Sequence, residues 1–311
     1  MIRGRRIMIK HRPVSDINQI NNAIEQLSTI DIKNATIEQL QAYFQQIING
    51  YSVAAINFNP GLLLYRGILF SEKPSLYENI IYPPKDKAKL NRASIEGKQM
   101  FYAASSKKTV FYELDVKPGD KLILSRWVTN NNLLFNNVGY TKSNFEELSS
   151  SRLPFEYNDP HNNETNELIA NYLAKSFCQP ISEIDNHLYK RTIAIAKIHL
   201  NQVNDNKFSG LFYPTVRLHA EEDNFAIDKE TIDKGLLDVE GIEFIEVLDK
   251  LENRYKYRII DIADNIKNGN INWKNLNKHW SVYDDSDELV FVEESGHIIA
   301  YNSNGDIINP D

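Results

Sequence analysis

Cysteine is almost absent. Cys178 stands alone in 311 residues, so no intrachain disulfide can form, and a reducing cytoplasm is the expected setting. Long apolar runs are absent too: no stretch approaches the ~18 residues that cross a bilayer, so no membrane span is expected. The basic start from Arg3 to Arg12 runs into Pro13, Ser15 and Asp16 rather than an apolar segment, so it does not read as a signal peptide and is given no role. Positive charge is not in excess. The 35 Lys and Arg against 42 Asp and Glu leave a formal net charge of -7, and no overall positive field exists to hold a phosphate backbone. Nucleic acid is therefore not expected as a main partner.

Several catalytic signatures are also missing. There is no G-x-G-x-x-G after a strand, no phosphate loop ending in Gly-Lys-Ser/Thr and no G-x-S-x-G elbow, which removes the main support for Rossmann, kinase and lipase chemistry. The histidines His11, His161, His187, His199, His219, His279 and His297 never fall four apart on one helix, and no cysteine pair joins them. No metal site is expected. Cys178 ends an apolar helix face without an adjacent basic residue, so it reads as a buried small hydrophobe rather than a nucleophile.

What is present is a globular composition, 42% hydrophobic and 25% charged, in a chain long enough for one large domain or two modest ones. Ile17, Ile20, Ile24 and Leu27 share a helical face behind Ser15 and Asp16 as N-cap candidates. Thr36 with Gln39 reads as a capping box for a second helix carrying Leu40, Tyr43, Phe44 and Ile47 and stopping at Gly50. Strands are expected at 62–67, 100–103, 121–128 and 210–216. Val110, Glu113 and Leu114 recur at helical spacing, which places the Glu113 carboxylate on an inward face. The Asn- and Ser-rich stretch from Thr129 to Pro160 reads as a surface excursion. Helices are expected over 163–177 and 183–199, followed by hairpins at 241–248 with 255–262, and at 289–292 with 298–301 through Glu294-Ser295-Gly296.

One constellation carries chemistry. It comprises Tyr65-Arg66-Gly67; Asn91-Arg92-Ala93-Ser94 with Gly97; Phe101-Tyr102-Ala103-Ala104; Glu113; and Gly210-Leu211-Phe212-Tyr213-Pro214-Thr215-Val216-Arg217 with Asn224-Phe225-Ala226. In order and spacing, from about Ile56 to Val247, this resembles the RES domain family. That family is named for an Arg, a Glu and a Ser and is known for bacterial toxins that consume NAD on a fold related to ADP-ribosyltransferases. The resemblance implies that Arg66 is the named Arg and Glu113 the named Glu. Thr215 stands where the family has Ser; the hydroxyl is kept, with an added methyl that stiffens χ1.

The residue types suit NAD. Arg66 and Arg92 offer the forked donors that match a pyrophosphate. Tyr102 is the first choice to stack on the cationic nicotinamide ring, with Tyr65 and Tyr213 as alternatives. Breaking the nicotinamide–ribose bond develops positive charge on the sugar, which Glu113 would stabilise, while Thr215 would orient the substrate. Water as acceptor gives a glycohydrolase, inorganic phosphate a phosphorylase, and a protein side chain an ADP-ribosyltransferase; the sequence leaves the three open. The expected architecture is α+β: an N-terminal helical hairpin (1–50), a RES-like NAD-binding domain on a split, bent ADP-ribosyltransferase-like sheet (51–248), and a strand-rich C-terminal extension (249–311). The resemblance implies a toxin or defence role with an antitoxin or immunity partner. A homo-oligomer, a catalytically silent nucleotide-binding module and a structural interaction protein stay open beside it.

Overall fold

The computed structural model describes residues 4–10, 16–49, 51–152, 164–182, 184–201, 207–252, 254–277, 279–284, 290–294, 297–301 and 307–308. In chain order these form β1 (Gly4–Lys10), α1 (Ile17–Ser28), α2 (Ile37–Ile48), β2 (Ser52–Phe58), β3 (Leu63–Leu69), β4 (Met100–Ala104), α3 (Lys107–Leu114), β5 (Lys121–Thr129), β6 (Leu133–Asn137), α4 (Lys142–Glu147), α5 (Glu164–Cys178) and α6 (Tyr189–Leu200). There follow β7 (Gly210–Pro214), β8 (Asp223–Asp228), α7 (Lys229–Asp233), β9 (Leu237–Leu251) and β10 (Arg254–Ala263), then the short β11 (Ile266–Lys267) and β12 (Asn270–Ile271), and last β13 (Trp280–Tyr283), β14 (Val290–Glu294), β15 (His297–Tyr301) and β16 (Ile307–Ile308). The class is mixed α+β. Contacts group the chain into two compact units, each built from separated segments: 1–62, 82–102 and 129–237 in the first, and 63–81, 103–128 and 238–311 in the second.

The first unit carries strands in the order β1-β2-β6-β7-β8. The β6–β7 pair is parallel and the other neighbours are antiparallel, so the sheet is mixed. Alternation along β7 sends Leu211 and Tyr213 to one face and Phe212 to the other. On the first face they join Ile20 and Leu27 of α1, Leu40, Phe44 and Ile47 of α2, Leu173 and Phe177 of α5, and Ala194 and Ile198 of α6 in one core. Phe212, in contrast, packs with Phe58 and Phe225 at ring separations of 5.5 and 5.8 Å, and Phe135 packs on Phe58 at 5.6 Å. The helical hairpin begins as its caps dictate. Asp16 accepts from the Asn18 amide, and the Thr36–Gln39 capping box closes with bonds of 3.1 and 2.9 Å. Ser15 and Gly50, the other expected end signals, lie outside the described residues, as do Asn163, Glu183, Leu289, Ser295 and Gly296.

One expectation is overturned here. As far as Arg152 the stretch after Thr129 is not an excursion but holds β6, in the middle of the sheet, and α4, while residues 153–160 lie outside the described residues. Much of it is core: Leu133, Phe135, Asn136, Asn137, Val138 and Tyr140 are buried, whereas Asn130, Asn131 and Asn132 are exposed. Asn136 can be buried because its side-chain amide donates to the His199 carbonyl at 2.9 Å and its oxygen accepts from the Asn137 amide at 2.8 Å. The second expected helix also starts late, with a 3₁₀ turn at Asn186–Leu188 before α6.

The second unit is built on β3 paired antiparallel with β5, and on β9, β10 and β13 paired antiparallel in turn. Tyr65 of β3 also pairs with Ala104, at the end of β4. Helix α3 lies on β3, and Val110 and Phe111 enter a core with Leu122, Leu124, Ile245, Val247, Tyr255, Tyr257 and Ile259. Gly67 is required for that approach, because a Cβ there would sit 2.2 Å from Val110 Cγ1 and 2.8 Å from Leu114 Cδ1. The hairpin expected at 241–248 with 255–262 is present as part of the longer β9 and β10. β14, β15 and β16 form a separate antiparallel sheet. Among the described residues no helix is long and apolar enough to cross a membrane.

Candidate functional site

The residues expected to carry chemistry divide between the units. Tyr65, Arg66 and Glu113 belong to the second, whereas Arg92, Tyr102, Tyr213 and Thr215 belong to the first.

In the second unit, Arg66 is buried within β3 at 9% exposure and sits opposite Ser125. Its Nε donates to the carbonyls of Ile80 and Ile81 at 3.2 and 3.1 Å. Its own carbonyl accepts from the Ser125 hydroxyl at 3.2 Å, and that hydroxyl accepts from Trp127 Nε1 at 2.8 Å. A chain of fixed bonds therefore sets both the backbone and the plane of the guanidinium. Tyr65, the neighbour in sequence, is half-buried on the other face of the strand. Glu113 departs from expectation: its side chain is exposed, not turned inward. Helix α3 buries Thr109, Val110 and Phe111. At about 100° per residue, Glu113 lies roughly 200° around the helix from Phe111, so the aromatic sets the buried arc and Glu113 falls on the exposed side.

In the first unit, Arg92 is committed to the end of α5. Its two terminal nitrogens donate to the carbonyls of Phe177 and Gln179 at 2.5 and 3.0 Å, where a helix presents carbonyls without intrahelical partners. Cys178 lies between those carbonyls. It is buried, and burial pushes its thiol up to about 11 against the opposing pull of Arg92 and Asn144. Tyr102 is half-buried, and its hydroxyl meets Ser94 Oγ at 2.9 Å and accepts from the Ala93 amide at 3.3 Å. Tyr213 is core, with its ring edge-on to Phe177 at 5.2 Å. Of the four residues in this unit, Arg92 and Tyr213 meet at Phe177, and Tyr102 binds the segment that carries Arg92.

Thr215 closes β7 and opens the loop that leads to β8. Its amide donates to the Glu222 carbonyl at 2.9 Å, and its carbonyl accepts from the Ala220 amide at 2.7 Å. Its hydroxyl is fully buried and has no hydrogen-bond partner among the described residues. The loop around it contains two successive left-handed residues that are not glycine, His219 at φ 52° and Ala220 at φ 59°. Such backbone is costly and persists where surroundings over-determine it. Arg217 is exposed, and Asn224 is buried opposite Tyr213.

Two polar clusters escaped the sequence. In the first unit, buried Asp223 accepts from Tyr140 Oη and Arg152 Nη2, both at 2.7 Å on the same oxygen. In the second, Lys107 and Glu243 pair at 2.9 Å with both side chains largely buried, and the other Glu243 oxygen is buried without a partner among the described residues. Tyr140 and Arg152 lay in the stretch read as surface, and Asp223 in the acidic run Glu221-Glu222-Asp223. No spacing marked either cluster. Among the described residues no group of three or more His, Cys, Asp or Glu is placed to hold a metal ion. Comparison with family models, with curated proteins and with solved structures finds no match in any of the three.

Proposed function

We propose that this chain is a NAD-consuming enzyme of the RES type that cleaves the nicotinamide–ribose bond, as a glycohydrolase or phosphorylase, with protein ADP-ribosyltransfer as the variant in which a side chain is the acceptor. On this reading the fold is of the ADP-ribosyltransferase kind and the role is that of a bacterial toxin or defence effector, with an antitoxin or immunity protein as partner. The observation that carries the reading is Thr215. A buried hydroxyl left without a partner costs about 1 to 3 kcal/mol, and a substrate hydroxyl or amide restores that loss on binding. It falls at the position where the RES resemblance puts its Ser, on a loop held in strained backbone. The RES resemblance gives Arg66, whose Nε is fixed on two carbonyls, the role of gripping the pyrophosphate. Tyr102 offers a half-buried ring for nicotinamide. In hydrolysis, water bonds to the ribose anomeric carbon and gives up a proton to solvent, and nicotinamide leaves with the electrons of the broken bond; stabilising the cationic sugar is the role the resemblance gives to Glu113.

The exposure of Glu113 and the commitment of Arg92 to α5 favour a second reading, a module that binds the nucleotide without cleaving it. One assay separates the two. The purified chain is incubated with NAD and free nicotinamide is followed by chromatography, with and without phosphate. Cleavage by the parent, and at least about 10-fold slower cleavage by Thr215→Val, which keeps the β-branched shape and deletes the hydroxyl, is the expected result. Binding without release of nicotinamide identifies the silent module. A Thr215→Val variant as fast as the parent removes the hydroxyl from the reaction.

A further inference from the structure

We infer that the segment from Leu148 to Arg152 is a strap that positions the Thr215 loop, with Arg152 and Glu221 as its fastenings. What the loop is positioned for rests on the NAD reading; the fastening itself does not. The loop from Thr215 to Glu222 holds few backbone bonds of its own: Thr215 to Glu222, Ala220 to Thr215, His219 to Val216 and Glu221 to Leu218. Those bonds close a turn, yet they must hold left-handed conformations at two successive residues that are not glycine, His219 and Ala220.

The strap supplies what is missing, and it does so along its whole length. The Leu148 carbonyl accepts from His219 Nδ1 at 2.9 Å. Ser150 Oγ and the Ser151 amide donate to one Glu221 carboxylate oxygen at 3.0 and 2.5 Å, and Ser151 Oγ donates to the other at 3.0 Å. Arg152 then spans two points. Its Nη1 donates to the Glu221 carbonyl at 3.3 Å and its Nη2 to Asp223 at 2.7 Å. Asp223 is the first residue of β8 and pairs with Pro214, the last of β7, so Arg152 holds the start of β8 at the point where the Thr215 loop joins it. The strap is itself anchored on α4, through Leu148 to the Asn144 carbonyl and Ser150 to the Phe145 carbonyl at 3.0 and 2.9 Å. Burial alone would push the Glu221 carboxyl up; the Ser150 and Ser151 donors outweigh that and hold it below the ordinary carboxylate range.

Arg152 and Glu221 are thus positioning residues. They act on the reaction through the place of the Thr215 hydroxyl. The test uses the full chain and two variants. Arg152→Lys keeps the charge on Asp223 and loses the fork to the Glu221 carbonyl. Glu221→Ala releases the two serines at an exposed position and leaves the Arg152–Asp223 pair intact, so the fold persists. Amide hydrogen exchange is read at Thr215 and Ala220, whose amides close the loop, alongside kcat and KM for NAD cleavage. The expected result is exchange about 10-fold faster or more at both amides, with amides in β2 and β6 unchanged. In parallel, kcat falls about 10-fold to 100-fold with little change in KM, as when a reacting geometry loosens without loss of binding. Unchanged exchange in both variants overturns the strap. Faster exchange with unchanged kcat overturns its positioning role. A parent that cleaves no NAD removes the enzymatic reading, and the exchange measurement still decides whether the strap holds the loop.

Discussion

At the scale of single residues, the distinction between a ligand-gripping arginine and a structural one becomes decidable. Arg66 and Arg92 are alike in the sequence, both flanked by small or polar residues. In the structure Arg66 uses Nε on two carbonyls of the connection after β3, whereas Arg92 uses both terminal nitrogens on the last turn of α5. Removing the second fork leaves two carbonyls and the α5 terminus without their donors. Arg92→Ala is therefore expected to lower the stability of the chain by about 1 to 3 kcal/mol, visible as a shift of the urea midpoint at constant slope. A midpoint that does not move, together with weaker NAD binding by calorimetry, would return Arg92 to the ligand. Glu113 shows the complementary failure of sequence pattern. Spacing of i, i+3 and i+4 finds a shared face, yet which edge of that face is buried depends on the largest neighbour, here Phe111, and on the Gly67 gap beneath it.

At the scale of elements, the sequence reads well where a local rule decides and poorly where a distant partner does. The capping box of α2 is local, and it appears where Thr36 and Gln39 put it. Strands β6 and β8 escaped notice because Asn and Asp have little strand preference, and only their sheet neighbours and buried partners make them strands. The β3–α3 packing lies between these cases. Gly67 was visible as part of a motif, but its reason is steric. Gly67→Ala pushes a methyl group into Val110 and Leu114, which are held by the core around Phe111. The substitution is expected to cost about 1 to 3 kcal/mol by overpacking, measured by thermal unfolding, and Val110→Ala in the same chain should recover part of it. Additive losses in the double variant would show that the helix, not Val110, limits the approach.

At the scale of the whole molecule, the expected three consecutive segments and the observed two units differ in what a cut would do. A boundary near residue 248 looks natural in the sequence, because the apolar run gives way there to Asp249 and Lys250, although β9 itself runs on to Leu251. Yet β10 pairs with β9 along its length, and Tyr255, Tyr257 and Ile259 fill the core that also holds Val110, Phe111 and Ile245. Phe111 lies 5.4 Å from the Tyr255 ring and 5.1 Å from that of Tyr257. Replacing one large buried aromatic by alanine costs about 3 to 5 kcal/mol, and a domain holds only about 5 to 15 kcal/mol in all. Deleting 249–311 removes several such groups at once and exposes a row of strand donors and acceptors on β9. A chain truncated after Leu248 is therefore expected to lose cooperative structure around α3, β3, β5 and β9. Hydrogen exchange at Val110, Phe111 and Ile245 reads this directly, with protection falling to the level of an unfolded chain. Were those amides to keep their protection, the C-terminal strands would be an accessory to a core that stands without them, and the aromatic packing on Phe111 would carry none of its stability.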